Sequence, residues 1–266
     1  MTLARLMNLK GRRALITGAA GHLGKTIAAT LAELEADLVL VDLPGADFRG
    51  VSDAISAVGS ARFRVRKTDL ESQAEREALI EEVRQEPGGL DILVNNAAFV
   101  GTSALDGWTG DFQQQTTECW RRALEVNLTA VFDLCRGFAP QLAKSGRGSI
   151  VNVASIYGSL GPDYGLYEGT AMGNPAAYSA SKGGLLQLTR WLATTLAPAI
   201  RVNCISPGGV LRGQPEGFIR RYEQRTPLRR MAVEDDMRGA VAFLATDMSG
   251  YCTGHDLVVD GGWSAW

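Results

Sequence analysis

Short runs of β-branched and leucine residues alternate along the chain with longer stretches in which apolar positions recur every three or four residues. The first pattern is typical of buried strands and the second of amphipathic helices. Strands are therefore predicted at Ala14–Thr17, Leu38–Asp42, Phe63–Asp69, Leu90–Asn95, Ser149–Ser155, Arg201–Ser206 and Asp256–Asp260. Helices are predicted at Gly21–Glu35, Ser72–Glu86, Glu118–Lys144, Pro175–Leu196 and Val233–Thr246.

Strand–helix alternation of this kind predicts an α/β fold with a doubly wound, mainly parallel sheet of the Rossmann type. The 266 residues contain no internal repeat, low-complexity tract or linker, so a single domain over residues 1–266 is expected. Ligands of such sheets bind beyond the carboxyl ends of the strands. Residues that follow the predicted strands are therefore the candidates for chemistry.

Composition narrows the function mainly by exclusion. The net charge of -2 gives no reason to expect a nucleic-acid or membrane-surface partner, and no apolar run reaches the roughly 18 residues of a membrane helix. Four cysteines without a C-x-x-C pair, together with two histidines, argue against a metal site and for a reducing compartment. We therefore expect a cytoplasmic protein that holds no metal.

A glycine-rich turn joins the first strand to the first predicted helix. Gly18 permits the tight turn, Gly21 lets the backbone approach a pyrophosphate, and Gly24 lets the helix pack closely on the sheet. The helix N-terminus, which carries His22 and Leu23, offers amide donors to the phosphates. The His22 side chain could reach a phosphate. The alternative is a side chain that faces solvent or packs against the protein.

Two acidic residues close the next two strands. Asp42 can accept hydrogen bonds from both hydroxyls of an adenosine ribose and would repel a 2′-phosphate, which favours NAD over NADP. A turn residue is the alternative reading of Asp42. Asp69 can bond the adenine amino group while Leu70 packs beside the ring, although helix capping by Asp69 fits the same pattern.

Tyr178 and Lys182 lie four residues apart, on one face of the predicted helix. A lysine ammonium beside a phenol favours the phenolate, so we expect Lys182 to lower the pKa of Tyr178. The tyrosine could then exchange a proton with an alcohol near neutral pH.

Taken together, the motifs resemble those of the short-chain dehydrogenase/reductase family over nearly the whole chain. The matching pieces are Thr17-Gly-Ala-Ala-Gly-His-Leu-Gly24, Asp69-Leu70, Asn95-Asn-Ala-Ala98, Asn127, Ser155, Tyr178-x-x-x-Lys182 and Pro207-Gly208. The resemblance implies a Rossmann-type fold, hydride transfer between alcohols and carbonyls, and commonly a homotetramer. Two departures are the position of the middle glycine, at Gly21, and an enlarged segment between Ser155 and Tyr178.

The resemblance also implies roles for individual residues. Tyr178 is the expected general acid or base, Lys182 its partner and a ligand of the nicotinamide ribose, and Ser155 the hydrogen-bond donor to the reacting oxygen. Asn127 is expected to support a water-mediated proton relay. The remaining cofactor contacts are expected at Asn96, Ala97, Pro207 and Gly208.

Substrate and assembly are less constrained by the sequence. Gly158–Pro175 is expected to be a loop that shapes the substrate site, and arginine forks after Gly209 suit an anion, although a solvated or interface helix fits equally. The stretch Tyr167–Tyr178 is similar to members of bacterial surface-sugar (flagellin glycan) pathways. A polar or anionic sugar-like metabolite is the predicted substrate. The arginines are Arg212, Arg220, Arg221, Arg225, Arg229 and Arg230.

Two other functions stay open at this point. One is a 3-oxoacyl-thioester reductase, which Asp42 disfavours because that activity usually uses NADPH. The other is a non-catalytic dinucleotide-binding protein, which the intact catalytic positions disfavour. A homotetramer is also indicated by apolar side chains in excess of one sheet-facing stripe. These are Trp120, Phe132, Phe138, Leu188 and Trp191, with Trp263 and Trp266 in the tail.

Overall fold

The computed structural model describes residues 1–100 and 105–266. In them, seven strands form one sheet: β1 Arg13–Thr17, β2 Asp37–Asp42, β3 Phe63–Lys67, β4 Ile92–Asn95, β5 Gly148–Val153, β6 Ile200–Pro207 and β7 Asp256–Val259. All neighbours pair in parallel, in the order β3-β2-β1-β4-β5-β6-β7. The chain reverses its direction of travel across the sheet between β1 and β4. The predicted doubly wound fold is confirmed.

Helices cover both faces of the sheet. They are α1 Leu3–Met7, α2 His22–Glu33, α3 Arg49–Val58, α4 Gln73–Gln85, α5 Thr117–Leu124, α6 Ala130–Lys144, α7 Ala176–Leu196, α8 Glu216–Arg225 and α9 Arg238–Ala245. A 3-10 turn at Glu234–Met237 precedes α9, within the helix predicted at Val233–Thr246. None of the described helices is long and apolar enough to span a bilayer.

Strand residues alternate between two hydrophobic layers because successive side chains of a strand point to opposite faces. Ile16 and its neighbours pack with α2, α3 and α9, whereas Leu15 packs with α4, α6 and α7. Both residues are fully buried. The central strands of the sheet are thus buried from both sides.

The helix predicted at Glu118–Lys144 is present, but its hydrogen-bonding pattern changes partway along it. α5 ends at Leu124, a π-helical turn occupies Glu125–Thr129, and α6 begins at Ala130. A π-turn accommodates one extra residue per turn, and such turns are frequent at functional sites. Asn127 lies inside this turn and is buried.

Not all of the apolar residues expected on the surface lie there. Phe138 is fully buried under the sheet, and Trp263 is buried because it stacks on Tyr222 with ring centroids 4.3 Å apart. The prediction was wrong for these two. Leu188 is partly buried against the core. The exposed ones are Trp120, Phe132, Trp191 and Trp266.

Candidate active site

One groove of about 1200 Å³ opens at the carboxyl ends of the central strands. It brings together every residue predicted from the sequence as a cofactor or catalytic residue, except Asn127. The predicted residues that line it are Gly18, Gly21, His22, Leu23, Asp42, Asp69, Leu70, Asn96, Ala97, Ser155, Tyr178, Lys182, Pro207 and Gly208.

The glycine-rich turn is packed too tightly for side chains. A Cβ on Gly24 would lie 2.0 Å from the Gly18 carbonyl oxygen, and Gly18 itself has φ +64° with Ala97 directly against it. The Asn96 side chain donates to the carbonyls of Thr17 and Gly18, both at 3.0 Å, and so fixes the turn to the end of β4. Glycine is therefore required at these two positions.

The N-terminus of α2 faces the groove. Gly21 is its N-cap residue, and no side chain of the described residues caps it. The first amides of a helix lack intrahelical partners, so those of His22 and Leu23 are available to an anion. The His22 ring is 68 % exposed, with Nδ1 3.9 Å from a Glu234 oxygen, so its solvent-facing alternative describes the side chain.

Asp42 points at the glycine-rich turn. Its Oδ2 accepts a hydrogen bond from the Ala20 amide at 2.8 Å, and its Oδ1 accepts one from Leu43 at 2.8 Å. Each carboxylate oxygen has further lone pairs, so ribose hydroxyls can be added to these bonds. The Ala20 amide of the glycine-rich turn thus holds the Asp42 carboxylate beside the site predicted for the cofactor phosphates.

The segment after β3 is organised by Asp69 and Ser72. Ser72 is the N-cap of α4 and accepts from the Glu75 amide, whereas Asp69 accepts from Glu71 at 2.9 Å and lines the groove. Capping of α4 by Asp69, the alternative from the sequence, is therefore not what the structure shows.

A buried arginine holds this segment against the rest of the protein. Arg76 is 1 % exposed and donates to the Leu70 carbonyl at 2.7 Å. Its guanidinium also pairs with Glu125 at 2.7 Å and with Asp133 at 3.0 Å. Because Glu125 begins the π-turn, Arg76 connects the segment after β3 to the element that carries Asn127.

Tyr178 and Lys182 occupy the other end of the groove, on α7. The Lys182 ammonium donates to the Val153 carbonyl at 2.7 Å and lies 5.8 Å from the centre of the Tyr178 ring. Burial lowers the pKa of Lys182 from 10.5 to about 8. Ser155 follows β5 at the same end of the groove.

The expected lowering of the Tyr178 pKa by Lys182 does not appear in the cofactor-free chain. Burial is the largest influence and raises the pKa of Tyr178, while the Ser155 hydroxyl and the charge of Arg212 oppose it. Desolvation disfavours the phenolate, and here its effect on the pKa is larger than that of the Arg212 charge.

Asn127 lies behind the groove. Its side chain accepts from the Phe99 amide at 2.6 Å and donates to the Phe99 carbonyl and to the Ser181 hydroxyl at 3.2 and 3.0 Å. Ser181 in turn donates to the Tyr178 carbonyl at 2.8 Å. The Asn127 side chain thus ties the segment after β4 to the helix that bears the tyrosine and the lysine.

The enlarged segment before Tyr178 is more structured than the expected loop. It contains a 3-10 turn at Tyr164–Tyr167, and Leu166 is buried against α8. Arg221 donates to the carbonyls of Leu166 and Glu168 at 2.8 and 2.6 Å. Two arginine interactions, this one and the 3.6 Å pair of Arg225 with Asp163, fasten the segment to α8.

Several groove residues were not found from the sequence. Lys25, Asp47, Phe99, Arg122 and Gln214 line it without belonging to a motif. Arg122 pairs with Glu71 at 2.8 Å and lies over the Phe99 ring at 4.8 Å. Such long-range contacts leave no spacing signal, so nothing in the sequence could have identified them.

The groove fits a nicotinamide dinucleotide. A side-chain-free cradle faces an uncapped helix N-terminus, a carboxylate suited to a ribose stands beside it, and the proton-transfer residues lie at the far end. In the described ranges, no group of three or more His, Cys, Asp or Glu residues could hold a metal ion.

Comparison with known proteins agrees with this geometry. A family model described as enoyl-(acyl carrier protein) reductase matches residues 18–264. The cis-4-hydroxycyclohexanecarboxylate dehydrogenase of Sinomonas cyclohexanicum is 34% identical over 260 residues, covering 96% of this chain and 97% of that protein. The 3-oxoacyl-[acyl-carrier-protein] reductase of Escherichia coli K12 is 31% identical over 261 residues, with 96% and 98% covered.

A solved structure leads to the same family. The short-chain dehydrogenase of Leptospira borgpetersenii with bound NAD+ superimposes with a TM-score of 0.83 at 30% identity, covering 99% of this chain and 96% of that one. The chain belongs to the short-chain dehydrogenase/reductase family and is an NAD(P)-dependent enzyme that acts on CH–OH groups. The comparisons lend no support to the surface-sugar pathway.

Proposed function

We propose that the protein is an NAD(H)-dependent oxidoreductase that interconverts a secondary alcohol and a carbonyl in a polar, sugar-like small molecule. The observation that carries this proposal is the groove itself, which holds Asp42 at one end and Ser155, Tyr178 and Lys182 at the other. The bound cofactor would supply the hydride chemistry.

In this proposal each residue at the catalytic end has a defined role. Ser155 holds the reacting oxygen, and Tyr178 donates the proton in reduction and accepts it in oxidation. In the cofactor complex Lys182 would contact the nicotinamide ribose and stabilise negative charge on the phenol, an effect that burial outweighs in the cofactor-free chain. The π-turn around Asn127 anchors α7 and supports proton supply to Lys182.

Preference for NAD rests on the charges around the adenosine end. Asp42, Asp47, Asp69 and Glu71 line that end, beside the cations Lys25 and Arg122, the second of which is paired with Glu71. A 2′-phosphate would face mainly carboxylates, while ribose hydroxyls gain acceptors. Solved members of the family hold NAD+ or NADP, so this preference is a property to be measured.

Cofactor choice can be tested without a substrate. Titration of protein fluorescence should show tighter binding of NAD+ than of NADP+, and Asp42→Ala should shrink that difference. Gly45→Ala, a change in the loop after β2 with no described atom within 4 Å of the new Cβ, is the matched control. Tighter binding of NADP+ by the wild type would refute the assignment.

The substrate class is suggested by the relatives. One relative is named for a hydroxycyclohexanecarboxylate and another, 32% identical, as a probable galactose dehydrogenase. A panel of polyols, aldoses, aldonates, hydroxycyclohexanecarboxylates and the corresponding diols should therefore contain substrates. Oxidation is followed by NADH absorbance.

Catalysis is tested with a tyrosine pair. Tyr178→Phe should bind NADH normally and lose roughly 10²–10⁴-fold in turnover. Tyr164→Phe removes a hydroxyl from a tyrosine that is 62% exposed and should keep full activity. Undiminished turnover by Tyr178→Phe would contradict the proposed role.

A reductase of 3-oxoacyl thioesters is the second candidate, because the E. coli relative is named for that reaction. It predicts rapid NADPH-dependent reduction of an acetoacetyl thioester. Oxidation of the polyol panel with NAD+, followed by NADH absorbance, separates the two functions.

We also propose a homotetramer. Four large apolar side chains, those of Trp120, Phe132, Trp191 and Trp266, are each at least 40% exposed. Burial between copies would remove this apolar surface from water.

A further inference from the structure

The arginines after Gly209 have different tasks. Five of the six have partners outside the groove: a carboxylate of α8, backbone carbonyls, or acidic residues of neighbouring turns. Of the six, Arg212 alone lines the described part of the groove. The five with outside partners are Arg220, Arg221, Arg225, Arg229 and Arg230.

The segment that carries Arg212 is fixed by its backbone. Leu211 donates to the Ala232 carbonyl at 2.8 Å, and Ala232 donates back to Gly209 at 2.9 Å. The Arg212 amide donates to the Gln214 side chain at 2.7 Å, and that side chain donates to the Val210 carbonyl at 2.8 Å. These hydrogen bonds therefore fix the backbone that carries the Arg212 guanidinium before any ligand binds.

Glu234 binds one edge of the Arg212 guanidinium and thereby orients it. Arg212 Nε donates to Glu234 Oε1 at 3.0 Å, and the side chain is 37% exposed. In the described parts of the chain, the two terminal amino groups have no acceptor. They form the planar fork that matches a carboxylate or phosphate.

The fork lies near Tyr178, and its partner Glu234 lies 3.9 Å from His22 at the start of α2. Arg212, Ser155 and Tyr178 line the same end of the groove, and the Arg212 charge is close enough to oppose the effect of burial on the phenol. Lys182 adds a second cation near Tyr178. The acidic residues that line the groove, Asp42, Asp47, Asp69 and Glu71, belong to its other part, which Lys25 and Arg122 also line.

We propose that Arg212 is the specificity-determining residue for an anionic substrate, binding a carboxylate of the molecule whose hydroxyl or carbonyl contacts Ser155 and Tyr178. The inference rests on the proposed function and names its substrate class as hydroxy acids. Glu234 acts as a positioning residue, because it leaves the amino groups of Arg212 directed into the groove.

The test compares pairs of molecules in which the carboxylate of one is replaced by a neutral hydroxyl-bearing group in the other. Aldonates and alditols of equal chain length form one set of pairs, and hydroxycyclohexanecarboxylates and cyclohexanediols form another. Binding of each member to the NAD+ complex is measured by calorimetry, and turnover by NADH absorbance. The variants are Arg212→Gln, Arg212→Lys and the exposed control Arg220→Gln.

The wild type and Arg220→Gln should bind the charged member of a pair tighter. Arg212→Gln should weaken that member roughly 10- to 150-fold, the range expected for charged hydrogen bonds, and leave the neutral member unchanged. Arg212→Lys should recover part of the loss because it keeps the charge without the fork.

Three results would overturn the inference: equal binding within every pair, binding of neither member, or equal losses for both members in Arg212→Gln. A fourth is a loss of NADH affinity in Arg212→Gln as large as the loss for the carboxylate, which would assign the fork to the cofactor. Rapid oxidation of diols and carboxylates alike would remove the anion site and leave the proposed function standing. Absence of all turnover, with carboxylate binding retained, would contradict the proposed function and leave the anion site standing.

Discussion

The buried ammonium of Lys182 should make the cofactor-free protein less stable at neutral than at alkaline pH. The residue is 2% exposed, and burial lowers its pKa from 10.5 to about 8. Between these values the unfolded chain binds the proton and the folded chain does not, so stability rises with pH across the window. The cost is fully present below pH 8, where a pKa difference of about 2.5 amounts to roughly 3 kcal/mol.

The variant Lys182→Met removes this titration. Between pH 7 and pH 9.5 the wild type should gain about 2 kcal/mol of unfolding free energy relative to the variant. Loss of the hydrogen bond to the Val153 carbonyl destabilises Lys182→Met equally at both pH values. The change with pH therefore isolates the ammonium.

Urea unfolding without nucleotide, followed by circular dichroism, measures the effect. Lys144→Met, which removes an exposed lysine at the end of α6, should follow the wild type at both pH values. Parallel pH profiles for the wild type and Lys182→Met would refute the reasoning, because a solvated ammonium would not couple to folding in this range.

Three further outcomes are expected. Arg76→Met should lower the unfolding free energy by about 1–3 kcal/mol, since it leaves the buried Leu70 carbonyl without its donor and removes a cation from Glu125 and Asp133, whereas the exposed Arg49→Met should leave the urea midpoint unchanged. Gly24→Ala places a Cβ 2.0 Å from a carbonyl oxygen of the preceding turn and should lose measurable NADH binding in fluorescence titrations, while Gly45→Ala keeps it. Light scattering should show a tetramer that Trp191→Glu dissociates; a monodisperse wild-type monomer would end that proposal.

Hydrophobic periodicity was sufficient for most of the sheet and its long helices. Every predicted strand is present, with bounds that differ by two residues or fewer. Helix α3 was missed because its apolar contribution to the core is limited to Val51 and Ile55. The π-turn was missed because one extra residue in a helix leaves the apolar pattern nearly unchanged.

Local motifs predicted the cofactor end of the groove better than the substrate end. Gly18, Asp42 and Tyr178 belong to short patterns whose spacing carries their geometry. The arginine-rich segment had no such pattern. That Arg212 lines the groove whereas Arg221 binds the Leu166 carbonyl depends on contacts made across the fold. The burial of Trp263 likewise follows from a long-range stack.

The segment before Tyr178 and helix α8 share a hydrophobic core of their own. Leu166, Phe218, Tyr222 and Trp263 form a cluster distinct from the two that flank the sheet. Mutations in this cluster therefore perturb a different set of contacts from those that hold the strands together. During divergence, this unit can change while the folding of the sheet is left largely intact, and under the proposed function such changes would alter the molecule that the enzyme accepts.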